Sequence, residues 1–311
     1  MATVKKILLV KTSSLGDVVH NLPTVSDILQ RFPQATVDWM VEEAYSGLVR
    51  MHPRIHRVVP VAVRRWRRSL LSAETWRELA SWRKVMQIDS YDTVIDTQGL
   101  LKSAVLASVV PGCKHGFDSI SARERMASQF YDECHHVPRD LHAVTRNRLL
   151  VGAAIGYRPE APADYGISRT VPNRRSRAIF LHSTSRDDKR WPDEHWIELG
   201  RRLEGRGIEL MLPWGSEGER ARSESIAGHL PRATVPPAMS VQQLADAMAE
   251  SRAVVGVDTG LVHLAAALAT PVVAIYCSTN PLLTGTHVGK SALNVGGDRK
   301  STRLNSSHGY I

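Results

Sequence analysis

The chain has 311 residues, 43% hydrophobic, with 40 Lys and Arg against 31 Asp and Glu, a formal charge of +9. That length suits two domains of about 150 residues each, and the hydrophobic share is that of a soluble globular protein. No apolar run approaches the roughly 20 residues that span a bilayer. Cys113, Cys134 and Cys277 are too few and too scattered for a disulfide framework. No charged–apolar–small leader opens the sequence, so the expectation is a cytoplasmic protein that can rest on a membrane. The cationic surplus points to an anionic partner: nucleic acid, a phospholipid surface, or a phosphorylated or carboxylated substrate.

The first strand–turn–helix, Lys6 to Leu29, reads KILLVKTSSLGDVVHNLPTVSDIL. Ile7–Val10 is a continuous apolar run of the kind that forms a strand buried on both faces. Ser13, Ser14 and the Gly16–Asp17 step follow, after which Val18, Leu22, Val25 and Leu29 recur at helical spacing. Asp17 therefore falls where a parallel strand hands over to a helix, outside the carboxyl end of the sheet, where open α/β sheets bind ligands. A carboxylate there also caps its own helix through free amides and the dipole. The local pattern leaves capping and catalysis both open.

Val37–Glu43 reads as a second strand, and Val58–Val63 as a third that runs into Arg64, Arg65, Trp66, Arg67 and Arg68. A basic loop followed by an amphipathic helix is the plain reading of this stretch. Four guanidiniums in five residues also suit phosphate and carboxylate, and the following Leu70, Leu71, Trp76 and Trp82 suit contact with lipid headgroups. Thr93–Gly99 is the next strand, Leu100–Val109 a helix, and Lys114–Asp118 a short strand followed by Arg123 and Arg125 in a polar segment. Cys134–His135–His136 has no second Cys or His pair at zinc-finger spacing and reads as a surface loop. A helix from His142 to Leu150 carries Arg146 and Arg148, and Pro159, Pro162 and Pro172 then mark an interdomain connection.

A second α/β series follows. Ala178–His182 is a buried strand ending in Ser183, Thr184 and Ser185, and Lys189 lies in the segment before a helix that begins near Asp193. Ile208–Pro213 is the next strand, with Glu217 and Glu219 opening its helix, and Met239–Glu250 is an amphipathic helix capped by Ser240. Ala253–Val257 stops at Asp258–Thr259–Gly260, and a small apolar helix carrying His263 leads to the last clear strand, Pro271–Tyr276. The pattern predicts two doubly wound α/β domains with a cleft between them. From Asp298 the sequence is polar, aperiodic and unlike what precedes it, and 298–311 is expected to be a non-native tail.

Asp258, the Thr259 hydroxyl and the Gly260 amide at a helix N-terminus form a phosphate-type site with His263 near the same turn. A capped helix with a buried histidine is the plainer alternative. Lys189, Thr184 and Ser185 supply phosphate-type groups at another strand end, and Glu219 suits a ribose. Neither G-x-G-x-x-G nor a P-loop is present, and no D-x-D pair is there to hold a metal on a diphosphate. Lys189 and helix amides are then the groups to neutralise a leaving diphosphate.

The segments KTSSLGDVVHNLP, RRWRR, DTQGLLKSA, KHGFD, STSRDDKRWP, LPWG and VDTGLVHLAAAL, spread from Lys6 to about Gly289, together resemble the lipopolysaccharide heptosyltransferases of glycosyltransferase family 9, the type I branch most closely. The resemblance implies a GT-B fold of two Rossmann-like domains facing a central cleft. Residues 1–157 would bind acceptor, 158–174 would link, and 175–297 would bind ADP-heptose. It implies inverting transfer of heptose to Kdo of Kdo2-lipid A at the cytoplasmic face of the inner membrane, with no obligatory cofactor or metal and no nucleic-acid partner. By the same resemblance Asp17 matches the general base. Thr184, Ser185, Lys189, Glu219, Met239, Asp258, Thr259, Gly260 and His263 match the donor site, Lys189 also acting on the leaving group. Lys11, Arg64, Arg65, Arg67, Arg68 and Arg123 match acceptor-facing positions. The alternatives are a type II enzyme acting on a heptosylated acceptor, and a noncatalytic basic protein that binds nucleic acid or lipid. Family members continue with a further C-terminal helix, which the odd tail replaces here.

Overall fold

Ile7, Leu8, Leu9 and Val10 are fully buried in β1 (Lys6–Val10), as a continuous apolar run covered on both faces requires. The structure, a computed structural model, describes residues 6–184, 186–287 and 291–296. Ser185 and the tail 298–311 lie outside the described residues. The chain divides into two units, Met1–Gly166 and Ile167–Ile311.

In the first unit β1 is joined by β2 (Thr36–Glu42), β3 (Arg57–Val61), β4 (Thr93–Asp96), β5 (Cys113–Phe117) and β6 (Glu133–His135). All pair in parallel, in the order β3-β2-β1-β4-β5-β6. The chain runs outward from β1 to β3, then crosses back to lay β4 on the other side of β1. That reversal opens a crevice at the carboxyl ends of β1 and β4, the place where such sheets take ligands. Leu8, Val10, Met40, Met86, Val94 and Leu106 fill one side of this sheet.

The second unit repeats the plan with β7 (Arg175–Leu181), β8 (Glu209–Met211), β9 (Ala233–Thr234), β10 (Ser251–Val257), β11 (Val272–Tyr276) and β12 (Ala292–Gly296). Their order, β12-β11-β10-β7-β8-β9, puts the reversal between β7 and β10, again with all strands parallel. Phe180 and Trp196, with ring centroids 4.9 Å apart, anchor its core beside Leu210, Leu212 and Ile226. A Cβ on Gly256 would meet Val262 at 2.5 Å and Leu181 at 2.9 Å. Glycine there lets β10 lie close to β7 and to the helix that follows.

Four expectations change. The single helix over Val18–Leu29 is two, Leu15–Val19 and Leu22–Arg31, because Pro23 starts a new first turn and cannot donate to the old one. The RRWRR stretch is a helix, Val63–Arg68, rather than a loop, and its Trp66 turns into the core. It is 5% exposed and packs against Trp82, since a helical period turns one residue of the five inward. Cys134 and His135 belong to β6 rather than a loop, a strand of three residues whose partner β5 supplies the pairing that its own pattern cannot announce. Met239 precedes the helix Val241–Glu250, because Ser240, its N-cap, accepts from the Gln243 amide.

Candidate functional site

At the first reversal, the end of β1 and the end of β4 are stitched together. Gln98 Oε1 accepts from Thr12 N at 2.6 Å, Thr12 Oγ1 at 2.8 Å and Ser13 N at 3.3 Å. The β4 turn is pinned from below by buried Asp96, which accepts from Ser103 Oγ and Tyr131 OH at 2.7 Å and from the Gln98 amide at 2.8 Å. Burial pushes the Asp96 carboxyl up in spite of these donors. Gly99, at φ +66°, lets this turn pass the Arg123 backbone, where a Cβ would lie 3.1 Å from Phe117 and 3.4 Å from the Arg123 amide.

Asp17 stands at the rim of this crevice. Its Oδ2 accepts from Ser14 N at 3.1 Å and Ser14 Oγ at 3.0 Å, so it does cap the short helix Leu15–Val19. Its Oδ1 accepts from Arg123 Nη2 at 2.7 Å, with side chains 15% and 47% exposed. Burial raises the Asp17 carboxyl, but the charges of Lys11 and Arg123 and the Ser14 amide together outweigh it and hold the group below its ordinary value. Asp17 is therefore ionised at neutral pH.

The cations assigned to an acceptor separate into groups. Lys11 is buried and donates inward, to Thr97 O at 2.7 Å and Asn147 Oδ1 at 3.3 Å. Burial pulls it down to about 8, against the attraction of Asp17, so it acts on Asp17 through its charge. Arg123 holds Asp17 directly. Arg65 is spent on the surface, paired with Glu43 at 3.2 Å and Glu78 at 2.6 Å. Arg64 donates its amide to Glu42 and its guanidinium to Tyr45 OH, while Arg67 and Arg68 are exposed. Lys102, absent from the sequence-derived site, donates to Ser13 Oγ at 2.8 Å. Burial lowers it, opposed by the Glu42 charge and aided by those of Arg64 and Arg67. Its only signal in sequence was its position three residues beyond the strand-ending Gly99.

At the second reversal, Asp258 directly follows β10 and its Oδ2 accepts from Lys189 Nζ at 2.7 Å and Thr279 Oγ1 at 2.6 Å. Thr184, after β7, donates to Asp258 O at 3.3 Å. Thr259 is the N-cap of the helix Gly260–Ala267, and His263 is buried on that helix. Asp258 thus holds Lys189 and Thr279 together at this strand end. The ammonium has three donors, and the Asp258 bond uses one of them.

Beside these groups lies a cavity of about 310 Å³ lined by Ser183, Thr184, Arg190, Ser216, Glu219 and Arg222, with Gly218. Glu219 accepts from the Gly215 amide at 2.7 Å and its own amide donates to Ser216 Oγ, which orients the carboxylate at the mouth of its helix. Arg222 is fixed by His182 O at 2.7 Å, Trp191 O at 2.9 Å and Asp193. Beneath it His182 bonds Ser223 Oγ at 2.7 Å, and burial, aided by the Arg222 charge, pulls its ring down to about 4. Ser183 stood at a strand end in the sequence but was given no role, and sequence reasoning missed Arg190, Ser216, Arg222 and Thr279, because none of these four stands at a strand end within a recognisable spacing. Met239 sits half-buried after β9, before the helix Val241–Glu250.

A family model described as glycosyltransferase family 9 (heptosyltransferase) matches residues 79–307. The chain is 43% identical over 287 residues to lipopolysaccharide heptosyltransferase 1 of Escherichia coli strain K12, covering 90% of each. The solved structure of E. coli heptosyltransferase WaaC with ADP matches at TM-score 0.88 and 39% identity, over 98% of this chain and 100% of that one. With ADP-2-deoxy-2-fluoro heptose the same enzyme matches at TM-score 0.86 and 38% identity, with the same coverage. Lipooligosaccharide heptosyltransferase 2 of Haemophilus ducreyi is 36% identical, but over 104 residues, 31% of this chain and 30% of its own length.

Proposed function

This chain belongs to glycosyltransferase family 9, and on that premise we propose that it transfers L-glycero-D-manno-heptose from ADP-heptose to Kdo of Kdo2-lipid A, with inversion at the anomeric carbon. Heptose transfer in lipopolysaccharide inner-core synthesis is its activity. The type I acceptor is favoured because the type I relative matches over nearly the full length and the type II relative over less than a third.

In the proposed reaction Asp17 takes the proton from the Kdo hydroxyl as that oxygen bonds to the anomeric carbon, and ADP leaves from the opposite face. The observation that carries this reading is an ionised carboxylate at a sheet reversal, under the charges of Lys11 and Arg123. Arg123 is the group an acceptor carboxylate would engage. Sharing that guanidinium frees Asp17 from its ion pair and raises its basicity at the moment it is needed. A low resting basicity is tolerable, since the proton moves only as the new bond forms. Lys102, Arg64 and Arg67 supply charge for further carboxylates and phosphates of the acceptor.

On the donor side, Lys189, with two donors beyond the Asp258 bond, and the amides at Gly260 stabilise charge on the departing diphosphate, so the scheme calls for no obligatory metal. Glu219 at the cavity mouth is assigned to the ribose. No helix of the described residues is long and apolar enough to cross a membrane. Peripheral attachment at the inner face is proposed through exposed Leu70, Leu71 and Trp76 beside exposed Arg67 and Arg68. The test is Asp17→Asn with ADP-heptose and a Kdo-bearing acceptor. Turnover should fall by about a hundredfold or more with ADP affinity unchanged, and a fall of less than about tenfold removes Asp17 as the base.

A further inference from the structure

The free edge of the first unit's sheet carries a cluster that the transfer reaction does not use. His115 of β5 stands opposite Glu133 of β6, and Phe117 opposite His135. Side chains two apart on a strand share a face, and paired residues of neighbouring strands project to the same side. Cys113, His115, Glu133 and His135 therefore all rise from one face of the β5–β6 pair, while Lys114 and Cys134 point to the other. The contacts agree with the register. One ligand-type atom from each of Cys113, His115 and Glu133 lies within 4.8 Å of the other two. His115 Nδ1 is 3.7 Å from Glu133 Oε2 and 3.0 Å from His135 Nε2, with the two rings 8° from coplanar.

We propose that Cys113, His115 and Glu133, joined by His135, form a seat for one zinc-class divalent cation that clamps the edge strand β6 to β5. A thiolate, two imidazoles and a carboxylate are the donor set of a four-coordinate zinc site rather than of magnesium or calcium, which take oxygen alone. Tetrahedral bonds of about 2.0–2.3 Å set ligand atoms about 3.3–3.6 Å apart, so Cys113, His115 and Glu133 close by up to about 1.5 Å, and His135, held now only against His115, swings in as the fourth ligand. Glu133 is more than half exposed and free to swing. The two histidines now face each other nitrogen to nitrogen, sharing one proton. A cation off that line is reached by tilting both rings, and the shared proton moves to the far nitrogen of its own ring. Cys113 loses its thiol proton to solvent, so each cation bound releases one proton.

The surroundings suit this exchange. Burial and the Glu133 and Asp132 carboxylates push the Cys113 thiol up, and burial holds His115 down, so without a cation one is protonated and the other neutral. A cation among the same groups reverses the first and uses the second. The clamp also has a structural reach. Asp118, next to the end of β5, donates its amide to His135 O at 3.0 Å and accepts from His136 Nδ1 at 3.0 Å. The segment between β5 and β6 carries Arg123, the partner of Asp17. Tying β6 to β5 holds both ends of that segment.

The experiment is titration of the chelator-treated full chain with Co²⁺ and then Zn²⁺, followed by absorption spectroscopy and thermal unfolding. One Co²⁺ per chain should bind, with strong d–d bands of four-coordinate cobalt and a thiolate-to-cobalt charge-transfer band. Zn²⁺ should displace it and raise the unfolding temperature. Cys113→Ser should abolish the charge-transfer band, and His135→Ala should weaken Co²⁺ binding by about tenfold or more. Cys134→Ser and Cys277→Ser should leave both unchanged. No thiolate band, a band that survives Cys113→Ser, or one lost in Cys134→Ser or Cys277→Ser overturns the proposal. Cys113 is partly exposed, so its serine variant folds, and its folding is checked by the same unfolding curve.

Discussion

Replacing Lys189 by Met separates two roles that the structure gives one ammonium. Lys189 Nζ lies 2.7 Å from Asp258 Oδ2, with side chains only 18% and 9% exposed. Without it the carboxylate keeps Thr279 Oγ1, at 2.6 Å, as a neutral donor. Breaking a pair this shielded strands a charge in a poorly solvated place and should cost on the order of 3 kcal/mol of stability, the low end for buried pairs because Lys189 retains some water. ADP should lose one charge-assisted hydrogen bond, on the order of 2 kcal/mol, or about thirtyfold in Kd. Adding Asp258→Asn removes the stranded charge, so the double variant should regain most of the stability and none of the affinity. Urea unfolding and calorimetric titration with ADP read the two quantities separately. An ADP affinity for Lys189→Met within about threefold of the parent means that Lys189 does not touch the diphosphate. A double variant no more stable than the single one means that the ion pair was not what was lost.

Arg123→Gln should weaken Kdo-acceptor binding and shift the acid limb of kcat/KM to higher pH, because Asp17 loses a charge that holds it down; an unshifted limb in the pH–rate profile would refute the coupling. His182 is buried with its folded pKa near 4, below the ordinary 6.5, so the unfolded chain takes up a proton between those values that the folded chain refuses. Stability should therefore fall by about 3 kcal/mol as pH drops from 6.5 to 4, and His182→Asn should flatten that slope in thermal unfolding. Trp66→Ala should cost about 3–5 kcal/mol because it empties a core position, whereas exposed Trp76→Ser should stay within about 0.5 kcal/mol and lower affinity for anionic vesicles. Equal effects on stability would reverse the assignment of which tryptophan faces out.

Much of this protein is legible residue by residue. Apolar runs such as Ile7–Val10 and Ala178–Leu181 announce buried parallel strands, because a strand covered on both faces has no polar side to alternate with. The hydroxyls, carboxylates and glycines that end those runs announce ligand-bearing turns, and Asp17, Thr184 and Asp258 all stand there. Short strands are another matter. β6 and β9, with three and two residues, hold no period of their own and exist because a neighbour pairs with them.

What local pattern could not decide is which charges meet. Arg123 reaches Asp17 across 106 residues, and Lys102 reaches Ser13 across 89. By resemblance Lys11 and Arg65 are both acceptor-facing, yet the fold buries Lys11 against Thr97 and Asn147 and spends Arg65 on Glu43 and Glu78. Spacing along the chain reports the faces of single elements. The potential at a carboxylate depends on every charge the topology brings near it, and that depends on strand order. The reversal between β1 and β4, and its counterpart between β7 and β10, decided those neighbours.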